Sequence, residues 1–302
     1  MANYYNENTL LYLNGDFVKA SEAKTDFYGQ SLHYGYSVFE GIRSYKMNDG
    51  TTEIFKAVAH FERLKASALA LNMPYPFETI ELIAATYKVL EKNNLQDAYI
   101  RPVVYAPANM SFNLNTESYI MIAAWEMQPF LGDKLLKVMT SSFERPNPKG
   151  FKITAKAAGH YVNSILASQE AKANGYDEAL LNDMNGYVAE GPGANVFFEK
   201  DGELFTSSLG NILPGITRAT VLEICKEMEK PVVEKQFTTD ELKQADAAFY
   251  CGTAAEIIGW ESLDGVTFKK NWNETISKQI QDAYKRLTIG LTKVLQPGLL
   301  QD

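Results

Sequence analysis

The chain has 302 residues, 46% of them hydrophobic and 22% charged, with a net charge of −8 at pH 7. That length suits two domains, the composition argues against disorder, and the acidic balance makes nucleic acid a poor partner. Two separated cysteines and three scattered histidines give neither a disulfide framework nor a metal site, no apolar run reaches the ~18–20 residues of a membrane span, and the N-terminus lacks a signal peptide's basic start and apolar core, so a reducing, cytoplasmic compartment is expected.

Residues 9–19 read as a hairpin, with Leu10 to Leu13, a turn at Asn14-Gly15-Asp16, then Phe17-Val18. Residues 31–46 begin as a short helix and become a strand after Gly41. The aromatics there (Tyr34, Tyr36, Phe39, Tyr45) suit a core. Gly35 and Gly41 interrupt both periods, and a glycine within a strand marks close approach of another group. Ile54-Phe55 reads as a strand. A helix opens at His60-Phe61-Glu62-Arg63-Leu64, with Leu64, Ala68 and Leu71 on one face. Taken alone, Arg63 reads as a surface arginine. A second amphipathic helix covers 78–92, and strands follow at 98–105 and 119–125. Together these make a first α+β domain over residues 1–125.

Residues 126–135, with Met127 and Phe130, break the periodicity and read as an interdomain loop able to line a cleft. The second domain then covers 136–302. Residues 136–140 alternate as a strand. Lys156 stands where irregular chain gives way to a helix, with Asn163 as its N-cap and Gly175 as its stop. Strands at 178–182 and 187–190 flank Asn185-Gly186, a type I′ signal, and strands at 196–199 and 204–206 flank Asp201-Gly202. Four strands with tight turns argue for an antiparallel or barrel-like sheet. The clearest helix runs from Ile216 to Lys230, capped by Thr217. A short helix follows Thr238, a buried strand covers 247–251, and a last amphipathic helix carries Ile276, Ile280, Tyr284 and Leu287.

Three stretches suggest chemistry. Lys156 sits among Ala155, Ala157, Ala158 and Gly159, so a flat ligand can reach its amine, and Tyr161 follows five residues later. In a dry site such an amine loses its proton more readily and attacks carbonyl carbon. Pro214-Gly215-Ile216-Thr217 opens a strong helix, where unpaired amides and the helix dipole favour an anion. Gly252-Thr253-Ala254-Ala255 repeats the theme at a strand end, so one phosphate and one carboxylate can be held. Glu190, before Gly191-Pro192-Gly193, can serve a heterocyclic nitrogen. Each feature alone also fits a solvated lysine, a capped helix or a turn glutamate. Together they match every functional group of pyridoxal 5′-phosphate.

With these motifs in order, from Ser37-Val38-Phe39-Glu40-Gly41-Ile42-Arg43 to Gly252-Thr253-Ala254-Ala255-Glu256, the chain resembles the branched-chain amino acid aminotransferases, of the fold-type IV pyridoxal-phosphate family. The resemblance implies a small N-terminal α/β domain and a larger C-terminal barrel-like α/β domain. It implies Lys156 as the Schiff-base lysine and proton carrier, Tyr161 at the cofactor's phenolic oxygen, and Glu190 at its ring nitrogen. Arg63, Gly215, Ile216, Thr217 and Thr253 would hold the phosphate, with Leu213 against the ring. Tyr34, Phe39, Gly41, Tyr99, Arg101, Met110, Met127, Phe130, Ala254 and Ala255 would surround the substrate. A homodimer or higher oligomer is implied, because the family builds its pocket partly from a neighbouring subunit. Met127 and Phe130 depart from the tryptophan and tyrosine usual in that loop. The activity implied is transamination of Leu, Ile or Val with 2-oxoglutarate. The alternatives are a D-amino acid or (R)-amine transaminase, an aminodeoxychorismate lyase, or a cofactor binder with little turnover.

Overall fold

The computed structural model describes residues 4–127 and 134–291, so Phe130 lies outside the described residues. Seven strands form the first sheet. β1 (Leu10–Leu13) and β2 (Asp16–Lys19) make the first hairpin, whose Asn14 and Gly15 turn the chain with φ of +51° and +107°. Next come α1 (Gln30–Tyr34), β3 (Ser37–Phe39), β4 (Ile42–Lys46), β5 (Thr52–Ile54), α2 (Ala57–Ala70), α3 (Thr79–Lys92), β6 (Ala98–Tyr105) and β7 (Tyr119–Glu126). The order is β2-β1-β7-β6-β4-β5, with β3 also on β6. Phe61 and Leu64 of α2, with Leu82 and Val89 of α3, bury against Val38, Ile100 and Ile122 of the sheet.

Strand structure begins before Gly41, not after it. β3 pairs Phe39 with Val103, the chain jogs at Glu40-Gly41, and β4 resumes on the same neighbour with Ile42 opposite Ile100. The jog has two causes. Glu40 turns inward to Arg63, and a Cβ on Gly41 would stand 1.9 Å from the Tyr99 hydroxyl.

The second sheet has nine strands: β8 (Leu136–Thr140), β9 (Glu178–Asn182), β10 (Val188–Glu190), β11 (Asn195–Lys200), β12 (Glu203–Ser207), β13 (Val232–Lys235), β14 (Ala247–Gly252), β15 (Glu256–Leu263) and β16 (Val266–Thr267). Its order is β10-β9-β8-β15-β14-β11-β12-β13. β10 also pairs with β11, through the single register pair Glu190 and Asn195, and this closes six strands into a barrel. The barrel is mixed, since β8 runs parallel to both β9 and β15. Val196, Phe198, Tyr250 and Trp260 fill one face, while Phe197, Phe249 and Cys251 face outward under α5 (Ile216–Glu227) and α7 (Ile276–Thr288). Both faces are covered, which is why these strands read as continuous apolar runs. Cys225 and Cys251 are free and buried, and burial pushes the Cys225 thiol up to about 12 and the Cys251 thiol higher still.

Several local expectations are corrected. Asn163 does not cap α4 (Tyr161–Ala173). It lies in the first turn and donates to the Glu144 carbonyl, and a 3-10 turn at Ala158–His160 leads directly into the helix. Thr217 does not cap α5 either. Gly215 is the N-cap, without a side-chain bond, and Thr217 is buried. The Asn185-Gly186 turn has only Gly186 in the left-handed region, so it is not type I′. The Asp183 carboxylate shapes it by accepting from the Asn185 and Tyr187 amides. β13, β15 and β16 carry no clear sequence pattern. In β15 the apolar run is broken by Gly259, where a Cβ would meet the Trp272 ring at 2.7 Å.

Candidate active site

A cavity of about 610 Å³ is lined by residues of both sheets. Lys156 is fixed in it by first-sheet elements. Its N–H donates to the Ser67 hydroxyl of α2 at 3.0 Å, and its carbonyl accepts from the Phe39 N–H at 3.1 Å. Ala155 and Ala157 are buried on either side, where bulk would separate these contacts. The amine Nζ donates to the Tyr161 hydroxyl at 2.7 Å and lies 5.2 Å from both the Phe39 and Tyr161 ring centres.

Glu190 sits on the seam of the barrel. Its Oε1 accepts from the Leu213 N–H at 3.0 Å and pairs with Arg145 at 2.9 Å, and its Oε2 accepts from the Asn195 amide at 2.9 Å. Burial raises its carboxyl above the usual range, and Arg145 works in the opposite direction. The barrel-closing register thus places Asn195 opposite Glu190 and lets its amide hold both that carboxylate and the Leu213 carbonyl, 3.0 Å away.

At the start of α5 the first amides have no partner among the described residues. Glycine is required at 215, because a Cβ would fall 2.1 Å from Asn195 Oδ1. Arg63 arrives beside this turn and donates to the Pro214 carbonyl at 3.0 Å. It is not a surface residue. Glu40 accepts from its Nε at 2.6 Å and its Nη2 at 2.8 Å, and Glu40 also contacts His60 Nδ1 at 2.8 Å. Burial would raise the Glu40 carboxyl, but Arg63 and His60 hold it down at about 2. Burial lowers His60 despite Glu40, so His60 is neutral and its Nδ1–H donates.

The opposite wall is aromatic. The Arg101 guanidinium lies 4.7 Å from the Phe39 ring centre, 5.3 Å from Tyr99 and 5.9 Å from Trp125, and its buried Nε has no partner among the described residues. Gly41, Met127, Leu213, Ile216, Thr217, Thr253, Ala254 and Ala255 also line the cavity. Tyr34 and Met110 do not. Both are 46% exposed, on α1 and on the loop after β6. Glu40, His60, Arg145, Asn195 and Trp125 were not marked by sequence reasoning. The acidic residue inside the apolar Val38–Ile42 run was a signal for Glu40. Arg145 had none.

Residues 37–263 match the amino-transferase class IV family. The branched-chain-amino-acid aminotransferase of Pseudomonas aeruginosa is 39% identical over 94% of both chains. The solved branched-chain amino acid aminotransferase of Escherichia coli superposes with a TM-score of 0.92 at 35% identity, over 96% of this chain and 98% of that one. The holo-form, with PLP, of the corresponding enzyme from Thermobaculum terrenum gives 0.89 at 34% identity, over 95% and 96%.

Proposed function

The chain belongs to the class IV aminotransferase family, and from that premise we propose that it catalyses reversible transamination of branched-chain L-amino acids with 2-oxoglutarate, using pyridoxal 5′-phosphate. The residues fit that cofactor. The uncapped start of α5, pressed close by Gly215 and flanked by Arg63, offers N–H donors and positive charge to a phosphate. Glu190 lies deep in the cavity as a carboxylate for a ring nitrogen, Tyr161 carries a hydroxyl for a phenolic oxygen, and the Lys156 amine faces the same space. When bound, the cofactor supplies a carbonyl that condenses with amines and a ring that withdraws electrons.

The chain's own residues do the rest. Lys156 Nζ would take the substrate's α-proton and give it back on the same face of the cavity, so that one amine serves as both base and acid. Tyr161, 2.7 Å away, orients that amine. Arg145 and the Leu213 amide hold Glu190 in place. Phe39, Tyr99 and Trp125 receive an aliphatic side chain. Arg101 stands among them with donors to spare, so a glutamate side chain finds a partner in the same wall. The Thr253–Ala255 loop takes the substrate's α-carboxylate.

The observation that carries this reading is the single cavity in which Lys156 with Tyr161 faces an aromatic wall containing one arginine. It is tested by the visible band of the loaded protein. L-leucine and L-glutamate should discharge it, and D-alanine should leave it unchanged. Discharge by D-alanine alone would replace the proposal with a D-amino acid transaminase.

The same proposal includes a cytoplasmic homodimer of two-domain chains joined by a linker at 126–135. The dimer is supported by exposed apolar residues on neighbouring segments, Tyr34 on α1 and Met110, Phe112 and Leu114 on the loop after β6, with the Tyr34 and Phe112 rings 5.4 Å apart.

A further inference from the structure

Glu256 opens β15 with φ of +54°, in the left-handed region that L side chains rarely adopt. It follows the three-residue loop Thr253-Ala254-Ala255, and Gly252 is its partner across the hairpin. Hairpin loops of this length call for glycine at the left-handed position. A glutamate there is strained, and such strain persists only where the surroundings hold it. What holds it comes from the other sheet. The Tyr45 hydroxyl donates to Glu256 Oε1 at 2.7 Å, and Arg43 Nη1 stands 3.5 Å from the same oxygen. Both partners lie on β4 and are buried, with the Arg43 guanidinium 5.2 Å above the Tyr45 ring. A glycine would relieve the backbone but could not make this link.

The loop that Glu256 closes lines the cavity. Among the described residues, no carbonyl accepts from the N–H of Thr253, Ala254 or Ala255, so these donors are available to a ligand. Their direction depends on the loop's tilt; Ala255 packs on the barrel core, but among the described residues no backbone hydrogen bond from the loop's own amides adds to that hold. We propose that Glu256 is a positioning residue: by reaching across to Tyr45 and Arg43 it sets the tilt of the 253–255 loop and thereby the loop's grip on the substrate carboxylate. This rests on the transamination reading and adds to it how one anion site is held. It also makes that site depend on β4, so movement between the two sheets loosens substrate.

The test is a titration of holoenzyme with 4-methylpentanoate, a branched carboxylate without an amine, followed by the visible band. Steady-state kinetics with L-leucine run alongside. In Glu256→Gly the left-handed backbone is unstrained but the link is lost. The Kd for the acid and the KM for leucine should both rise about tenfold, the size of a coupled side-chain pair. The kcat should stay within about twofold, because the interaction is made equally before and during reaction. Tyr45→Phe keeps Glu256 and removes its donor, and it should give the same rise. The double variant should be no weaker than either single one. Glu256→Gln keeps an oxygen for Tyr45 and should restore most of the affinity. Unchanged Kd in both Glu256→Gly and Tyr45→Phe would overturn the inference, as would a fall in kcat at constant KM. Wild-type protein that responds to neither the acid nor leucine would instead remove the transamination reading, and this inference with it.

Discussion

Glu40 has no exposed surface and accepts from both Arg63 and His60. In cofactor-free protein, Glu40→Gln should cost about 3–5 kcal/mol by urea denaturation, because the Arg63 charge is left buried and unmatched. The pH dependence follows from its lowered carboxyl. Its stabilisation is complete above its ordinary value of 4.5 and is lost as pH falls toward about 2. Wild-type protein should therefore lose stability across that window more steeply than Glu40→Gln. Arg145 opposes the burial that raises Glu190, so Arg145→Gln should move the acidic limb of the kcat/KM profile to higher pH. Gly41→Ala should force the Tyr99 ring from its place, raising KM for leucine while the visible band of the loaded protein stays normal. Lys156, Glu190 and the Gly215 turn were legible in the sequence because small neighbours and turn residues act locally. Arg145 and Asn195 were not. Their roles come from strand register and a long loop, and no nearby residue reports either.

Elements with strong periods were the most legible. α3 and α7 carry clean apolar stripes, and the Asp201-Gly202 hairpin turns with φ of +52° and +83°, as that dipeptide favours. Weak elements were lost where both faces are covered or where glycine interrupts, as in β15. Asn163 and Thr217 are residue types that favour capping, yet α4 is fed by a 3-10 turn and α5 starts without a side-chain cap. That open start suits the proposed phosphate: an internal cap on α5 would satisfy the amides the proposal gives to it. α7 is the outer support of this region, and Ile280 is its fully buried centre. Ile280→Ala should destabilise by about 2–5 kcal/mol in chemical denaturation, with the spectrum of surviving folded protein unchanged.

At the scale of the molecule, the barrel closes through a single register pair, and that pair is Glu190 and Asn195. Fold closure and the proposed seat of the ring nitrogen are thus one feature, so variants that loosen one should loosen the other. The proposed dimer is tested on the exposed face around Phe112, which is 89% exposed. In sedimentation, wild-type protein should run at twice the chain mass of 33.8 kDa or a higher multiple, and Phe112→Asp should shift it toward the single chain. Two sheets were foreseeable from the order of elements. Their mutual packing was not, because the contacts that join them, such as Lys156 to Ser67 and Tyr45 to Glu256, link residues 89 and 211 positions apart.

The two cysteines have a practical meaning. Each is enclosed and each thiol is held in its unreactive protonated form. The folded protein should therefore ignore maleimides and iodoacetamide at neutral pH. A cysteine introduced at an open position such as Val266 would be the sole point of attachment for a dye, a spin label or a solid support, with the native pair left in place.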